Sequence, residues 1–407
     1  MSASYSRYAL ALLIAANMLN YIDRQVIYAV FPLIKDDLQL SDTLLGFLGS
    51  AFMFSYMMSA PLIGLLGDRA GRVKLASRGL ALWSLATVGG ALAEGYKSLF
   101  VARTAVGIGE ASFGTVAPAL LADYFPREKH GRVLSSLYLA IPVGSALGYV
   151  LGGIIGRNMG WHAAILIVGI PGLLLVIPLH LLRDPRADMR GPGLGRPVQS
   201  WKDYSLILNN SFVTNTAAMA AMTFALGGLA QWFPTFLYRM HRLDVAKGNT
   251  LFGAITVVAG IAGTLAGGWL GDRLQRRSKK GYLVISGWGF VIGLPIMVYA
   301  LVTPSLWGCL SAVFLGEFFL FLNTGPLNTV IVLITQPEMR AMAFAINIFF
   351  IHALGDAVSP TILGWFSDML GLQTALLVTP VAIVCAAFFC FLCSRFIERD
   401  IGRTSEK

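Results

Sequence analysis

The feature that most constrains this chain is a series of about twelve long apolar segments broken by charged residues, glycine or proline. A helix that crosses the hydrocarbon core of a bilayer needs about 20 consecutive apolar residues. Most of the segments reach that length, and they predict a polytopic helical membrane protein. The segments lie near residues 8–31, 43–66, 76–94, 98–123, 132–156, 162–182, 207–238, 248–271, 282–303, 306–335, 341–366 and 372–396.

The composition excludes the main alternatives to a membrane protein. Of 407 residues, 56% are hydrophobic and 13% are charged, whereas soluble domains carry roughly 25% charged residues. The 44 glycines have no triplet period and there are only four cysteines, which excludes a collagen-like or disulfide-stapled chain. The net charge of +10 is spread between the apolar segments instead of forming one basic stripe, so we expect no nucleic-acid partner.

The distribution of lysine and arginine predicts how the chain is oriented. If the N-terminus lies inside, 23 of the 31 Lys and Arg residues fall in cytoplasmic loops and termini, and six fall outside. We therefore expect both termini to be cytoplasmic. The first segment is too long for a signal-peptide core and is interrupted by Asp23 and Arg24, so it is interpreted as the first helix. Short loops without extra domains favour a bacterial inner (plasma) membrane.

The longest polar stretch divides the apolar segments into six and six. It runs from Asp184 to about Tyr204 and contains DPRADMRGPGLGRP, which is typical of a linker. The predicted domains are an N-terminal six-helix bundle at 1–183, a cytoplasmic linker at 184–205, and a C-terminal six-helix bundle with a short tail at 206–407.

The two halves also share short motifs in the same order. Gly67-Asp68-Arg69 matches Gly271-Asp272-Arg273, and Gly109-Glu110 matches Gly316-Glu317. The repetition predicts two homologous bundles of the parallel-repeat type. The predicted fold class is thus an all-α membrane protein with about twelve transmembrane helices in two pseudo-symmetric six-helix bundles, the major facilitator fold.

Several motifs resemble known families. GLLGDRAGRVK (64–74), echoed by GWLGDRLQRR (268–277), resembles the signature loop of major facilitator transporters. NYIDR (20–24), RTAVGIGEASFGTVAP (103–118) and YLAIPVGSALGY (138–149) together resemble the Spinster family of lipid transporters. That resemblance implies alternating access and an amphiphilic substrate such as a lysophospholipid or sphingosine-type molecule, moved in a proton-linked way. NYIDR alone also resembles organic-anion symporters, so the substrate class stays open.

Four ionisable residues in the first half are predicted to meet inside the membrane. Asp23 lies roughly 22 Å into the first helix, and Arg103 lies roughly 8 Å into the fourth helix from the opposite side. Glu110 follows Arg103 by two helical turns and shares its face. With Arg24 these residues predict a proton-coupling cluster in which Glu110 is the first choice of carrier and Asp23 the second, because a buried charge is costly unless it is functional or paired. A permanent structural ion network is the alternative.

The second half supplies fewer charges. Glu317 repeats Glu110 without an arginine nearby in sequence, and Asp356 has His352 one turn earlier. Each is predicted to be either a substrate-cavity group or a polar contact between helices. The predicted substrate-cavity residues are Asn20, Tyr28, Thr214, Gln231, Trp232, Glu317, Phe319, Asn323, Asn347 and Asp356.

The cytoplasmic loops carry a second predicted site. By resemblance to the superfamily, Asp68, Arg72 and Asp123 form a cytoplasmic gate, with Asp68 at the positive end of a helix dipole and Arg72 paired to Asp123. Asp272 and Arg276 repeat part of the pattern and predict a weaker second gate. A solvated loop is the alternative interpretation.

Other function classes have little support in the sequence. There is no HExxH, GxSxG or P-loop motif, so we expect no enzyme activity, no cofactor and no metal. The sequence predicts a monomeric secondary transporter whose partners are an amphiphilic substrate, protons and the lipid bilayer. A proton-linked symporter of small organic anions and a drug or amphiphile exporter are the alternatives within the transporter class.

Overall fold

The computed structural model describes residues 3–126, 130–185, 207–336 and 339–405. All regular structure in these ranges is helical. The helices are α1 Ala3–Ala29, α2 Phe31–Leu38, α3 Asp42–Ala70, α4 Arg72–Ala91, α5 Tyr96–Tyr124, α6 His130–His180, α7 Asn210–Met240, α8 Val245–Gln275, α9 Gly281–Val302, α10 Leu306–Phe321, α11 Thr324–Leu333, α12 Arg340–Leu354, α13 Ser359–Leu370, α14 Leu372–Leu376, α15 Val378–Cys393 and α16 Ile397–Ser405.

Nine stretches of the described residues are long and apolar enough to cross a membrane. The longest, Ser136–His180, contains two helices that meet at Gly160, where φ is +84°. Helices α1 and α4 are also long, at 27 and 20 residues. If the two helices of Ser136–His180 are counted separately, the nine stretches contain ten crossings. Helices α1 and α4 bring the number to the twelve that the sequence predicts.

The first compact unit contains residues Met1–Leu194 together with Gln231–Ala254. In it, α1 packs closely along the first half of α6. A Cβ atom at Gly144 would lie 2.6 Å from the carbonyl oxygen of Met18, and one at Gly148 would lie 2.6 Å from that of Ile22. Only glycine permits such backbone contact, so these residues set the position of Asp23 and Arg24 on α1.

The second compact unit contains residues Gly195–Ala230 and Ile255–Lys407. Here α8 packs against α10 in the same manner, because Gly263 and Gly267 face the carbonyl oxygens of Phe318 and Leu322. Residues 186–206 of the predicted linker lie outside the described residues, and the predicted domain boundaries stay a prediction.

Several apolar segments that the sequence predicts as continuous helices are interrupted, two of them near their middle. The segment 341–366 divides because α12 ends at Leu354 and α13 begins at Ser359. Pro360, at the start of α13, lacks a backbone N–H and its ring would clash with the carbonyl of residue 356 in a continuous helix. The segment 306–335 divides between α10 and α11 at residues 322–323.

Candidate functional site

A buried ion pair lies between α1 and α5 in the first unit. Arg24 Nε donates to Glu110 Oε2 at 2.6 Å, and the Glu110 side chain has no solvent exposure. Glu110 Oε1 has no hydrogen-bond partner among the described residues. One carboxylate oxygen is thus neutralised by a charge-assisted hydrogen bond, while the other retains acceptor capacity.

Aromatic rings surround both arginines of the cluster. The Arg24 guanidinium lies 4.7 Å from the ring centroid of Tyr21 and 4.8 Å from that of Tyr56. The Arg103 guanidinium lies 4.4 Å from the Phe52 ring. Ring faces attract a cation without hydrating it, so they stabilise both guanidinium groups inside an apolar bundle.

Asp23 points away from the Arg24–Glu110 pair and contacts α4. The Thr87 hydroxyl lies 2.5 Å from Asp23 Oδ2 and 2.9 Å from the carbonyl oxygen of Trp83. A hydroxyl has one proton to donate, so it donates to an ionised Asp23 or, when it donates to the Trp83 carbonyl, accepts a hydrogen bond from a neutral Asp23. A cavity of about 20 Å³ beside these groups is also lined by Arg103.

A larger cavity lies on the other side of Arg24 within the same unit. It has a volume of about 120 Å³, enough for several water molecules. Its polar lining comes from Asn17, Asn20, Tyr21, Arg24, Tyr56 and Tyr138. The Asn20 side chain is buried and its Nδ2 has no partner among the described residues, so the cavity offers an unused donor beside the arginine.

Arg103 is held more loosely than Arg24. Its Nη2 lies 3.4 Å from both the carbonyl oxygen of Arg24 and the hydroxyl of Tyr28. Its Nε has no partner among the described residues. The structure therefore brings the four predicted cluster residues together, but only Arg24 and Glu110 form a close ion pair.

The carboxyl group of Glu317 in the second unit has a different environment. Its residue is 3% exposed, and Oε1 accepts a hydrogen bond from the Thr256 hydroxyl at 3.2 Å. Oε2 has no partner, and no cation lies within ion-pair distance in the parts of the unit that are described. This group can act as a neutral hydrogen-bonding acid.

The remaining predicted substrate residues are dispersed. Thr214 donates to the carbonyl oxygen of Asn210 in its own helix, and Asn347 accepts from Thr216 at 2.9 Å. Asn323 donates to the carbonyl oxygen of Leu320, while Phe319 lies against α9. The structure does not bring these side chains into one cluster.

Gln231 and Trp232 lie in the first unit. Gln231 packs on Gly49, where a Cβ atom would overlap its side chain. Trp232 is fully buried, with its ring 5.6 Å from that of Phe31. Both side chains contribute to the packing of this unit in the conformation observed.

The predicted gate is partly described. Arg72 Nη1 donates to Asp123 Oδ2 at 2.6 Å, as the sequence interpretation expects of a closed latch. Asp68 lies in α3, and its side chain is outside what the structure describes. In the second unit, Asp272 accepts from the Tyr282 hydroxyl at 2.7 Å, and Arg276 is exposed.

Sequence reasoning missed an ionic clasp formed by Lys35, Asp42 and Arg239 in the first unit. Asp42 is 2% exposed and binds Arg239 through two hydrogen bonds of 2.6 and 2.8 Å. Lys35 Nζ lies 2.5 Å from the same carboxylate. Asp42 and Arg239 are 197 positions apart and lie at segment ends, so nothing in the sequence pairs them.

Apolar spanning helices in two units, with a buried charged cluster at a polar cavity, define a membrane transporter. The Major Facilitator Superfamily family model matches residues 13–360. A crystal structure of a bacterial homolog of the human lysosomal transporter Spinster, in an inward-facing and unoccupied conformation, superposes with a TM-score of 0.90. It is 24% identical in sequence and covers 98% of this chain and 99% of the other. The predicted fold class is confirmed.

Curated relatives narrow the assignment. "Protein spinster homolog 1" of Homo sapiens is 34% identical over 399 residues, which cover 91% of this chain and 74% of the relative. "Sphingosine-1-phosphate transporter SPNS2" of Mus musculus is 30% identical over 432 residues, covering 98% and 78%. "Protein spinster" of Drosophila melanogaster is 32% identical, and the match covers 89% of this chain but 62% of the length of that relative.

The chain belongs to the Spinster family of the Major Facilitator Superfamily. It is an integral membrane transporter and not an enzyme, as the sequence predicts. Residues that sequence reasoning missed are Thr87, Phe52 and Tyr56, which contact the charged cluster from α3 and α4. Single polar or aromatic residues within apolar segments carry no signal that distinguishes them from ordinary packing residues.

Proposed function

We propose that the chain is a secondary active transporter that moves an amphiphilic lipid, such as a lysophospholipid or sphingosine-type molecule, by proton-linked alternating access. The observation that carries the proposal is the Arg24–Glu110 pair beside a polar cavity inside a bundle of spanning helices. Membrane proteins seldom retain such groups without a functional reason. The relative named as a sphingosine-1-phosphate transporter supports the substrate class.

The proposed coupling step is the transfer of a proton to Glu110. Protonation turns the carboxylate into a neutral acid, so its attraction for Arg24 weakens and the guanidinium becomes free to bind an anionic head group. The cavity beside Arg24 supplies the water that brings the proton and the space that the head group enters. A substrate and a proton that compete for, or share, one arginine are thermodynamically linked.

Reconstituted transport tests the coupling role. Glu110→Gln removes the titratable group but preserves the side-chain shape, so we expect substrate exchange to persist while accumulation driven by a pH gradient is lost. Glu94→Gln, which alters an exposed acid in the loop after α4, is the matched control and keeps full accumulation. If Glu110→Gln still accumulates substrate when a gradient is imposed, and a protonophore abolishes that accumulation, Glu110 is not the carrier.

Substrate panels distinguish the proposal from its two alternatives. Arg103 Nε lacks a partner, which also suits an organic-anion symporter that clamps a carboxylate. Thermal stabilisation of the purified protein by lysolipids and sphingoid bases, but not by short organic acids or by cationic drugs, supports the lipid assignment. Stabilisation by organic acids alone favours the symporter, and stabilisation by cationic drugs alone favours the exporter.

We further propose that the protein acts as a monomer in a bacterial inner membrane with both termini in the cytoplasm. The supporting observation is the excess of Lys and Arg in alternate loops. A fluorescent protein fused to the C-terminus should fluoresce, and alkaline phosphatase fused at the same point should be inactive. The opposite pair of results reverses the orientation.

A further inference from the structure

The spanning stretch Met342–Leu370 is interrupted near its middle. At Gly355 φ is −104° and ψ is −108°, and residues 355–358 form turns instead of helix. The N–H of Ala357 donates to the carbonyl of His352, five residues earlier, at 3.0 Å. Hydrogen bonds of this π type are frequent at functional sites.

Two ionisable side chains meet across this interruption. His352 Nδ1 lies 2.8 Å from Asp356 Oδ1, and the side chains are 25% and 18% exposed. The pair is thus partly buried within the spanning stretch. We call these two residues the His352–Asp356 pair.

Two elements of this unit bring no ionisable group toward the pair. The part of α7 that belongs to the unit, residues 210–230, contains no ionisable side chain, and neither does α11. On its own helices, the nearest ionisable groups are Arg340 and Asp368, each about three turns away along the chain.

Close packing against α7 holds the interruption in place. A Cβ atom at Gly227 would lie 2.5 Å from that of Asp356, and one at Gly355 would lie 2.8 Å from Cβ of Thr223. Ser359, at the start of α13, is fully buried and its hydroxyl has no partner in the described ranges. An unused hydroxyl one turn beyond Asp356 marks a polar site that is incomplete in this conformation.

We propose that the His352–Asp356 pair is a second proton-binding site, in the second unit and separate from the Arg24–Glu110 pair. With one bound proton the pair is neutral overall, as an imidazolium beside a carboxylate. Release of that proton leaves one negative charge inside the membrane span, which is costly unless water reaches it. The site therefore binds or releases its proton according to the access of water to the interruption between α12 and α13.

Histidine resonances test proton binding without any measurement of transport. The chain has five histidines, so ¹⁵N-histidine labelling of the full-length protein in nanodiscs gives few signals, and His352→Gln assigns the relevant one. We expect the His352 resonance to respond to a change of pH, as a proton-binding group must. In Asp356→Asn the midpoint of that response should change, because the hydrogen-bonded carboxylate is lost.

Two further variants keep the test decisive. Asp368→Asn removes a carboxyl group from α13, the helix that follows the pair, and should leave the His352 midpoint unchanged. Asp356→Glu restores a carboxylate and should move the midpoint back toward the wild-type value if Asp356→Asn folds poorly. A His352 resonance that does not move with pH, or a midpoint that ignores Asp356, overturns the proposal. Either result leaves the Glu110 coupling proposal standing, since that proposal is tested by transport.

Discussion

Glu110 and Glu317 occupy corresponding positions in the two halves of the sequence, but the structure surrounds them differently. Glu110 has a guanidinium at 2.6 Å, whereas Glu317 has a hydroxyl at 3.2 Å and no cation within ion-pair distance among the described residues. A buried carboxylate with a cation can remain ionised, while one without a cation is stable in its neutral form. The repeat has kept a carboxyl group in both halves and a countercharge in only one.

This contrast assigns different tasks to the two units. The first unit contains a buried ion pair, and aromatic rings lie against both of its arginines. The second unit contains polar groups that are individually neutral or self-paired, such as Glu317 and the His352–Asp356 pair. The unfolding free energies of four variants test this comparison.

The largest expected effect is that of Arg24→Ala. It removes the cation that is hydrogen-bonded to the buried carboxylate of Glu110, and such a loss costs about 3–5 kcal/mol of unfolding free energy. The effect is measured as the difference in unfolding free energy between wild type and Arg24→Ala in nanodiscs. The double variant Arg24→Ala with Glu110→Gln should regain much of the loss. A loss no larger than that of Arg157→Ala, which breaks an exposed pair with Asp244, would mean that the buried pair is not maintained as an ion pair.

Arg239→Ala in the ionic clasp should have a smaller effect, about 2 kcal/mol, because Lys35 still neutralises Asp42 after the arginine is removed. The same unfolding measurement applies, with Arg242→Ala on the neighbouring turn as control. Removing both Lys35 and Arg239 should cost more than the sum of the single losses, since neither of these two cations can then compensate for the loss of the other at Asp42. Additive losses would contradict that explanation.

Asp400→Asn tests the hydrogen bonds between Asp400 and Ser211 in the second unit, which join α16 to the start of α7. Asp400 Oδ2 accepts from both the N–H and the hydroxyl of Ser211, so α16 caps the first turn of α7. Burial acts to raise the pKa of Asp400, but these bonds and the adjacent Arg399 outweigh it and leave the pKa below its usual value. We expect a loss of about 1 kcal/mol at neutral pH.

The pH dependence of that loss has a defined sign. Because the folded-state pKa of Asp400 is lowered, its stabilising contribution is complete above about pH 4 and disappears as the pH falls through the folded-state value. The difference in stability between wild type and Asp400→Asn should therefore shrink below about pH 4. A constant difference across the range would assign the effect to packing and not to the charge of Asp400.

Glu317→Gln should have the smallest effect, below about 0.5 kcal/mol, because an amide replaces a neutral acid of the same shape and Thr256 can still donate to its oxygen. The same measurement of unfolding free energy as for Arg24→Ala allows the two glutamates to be compared directly. A loss comparable to that of Arg24→Ala would show that Glu317 is ionised and that the comparison between the halves is wrong.

Much of the architecture was predictable, because the constraints on a membrane chain act on segments rather than on single contacts. Apolar length predicts the crossings, and the repeated GDR and GE motifs predict two related halves. The spacing of Arg103 and Glu110 predicts that they share one face of α5. The interruption at Gly355 was missed because an apolar segment containing one proline is also compatible with a kinked continuous helix.

The sequence by itself determined which segments span the membrane, how they divide into halves, and which residues carry charge into the apolar core. Only the tertiary structure decided which partner each charge has: Arg24 for Glu110, Thr87 for Asp23, Arg239 for Asp42. The physical reason is that partitioning into the membrane depends on the composition of a segment. Pairing depends on helix rotation and on the close approach at residues such as Gly148, which join positions far apart in the chain.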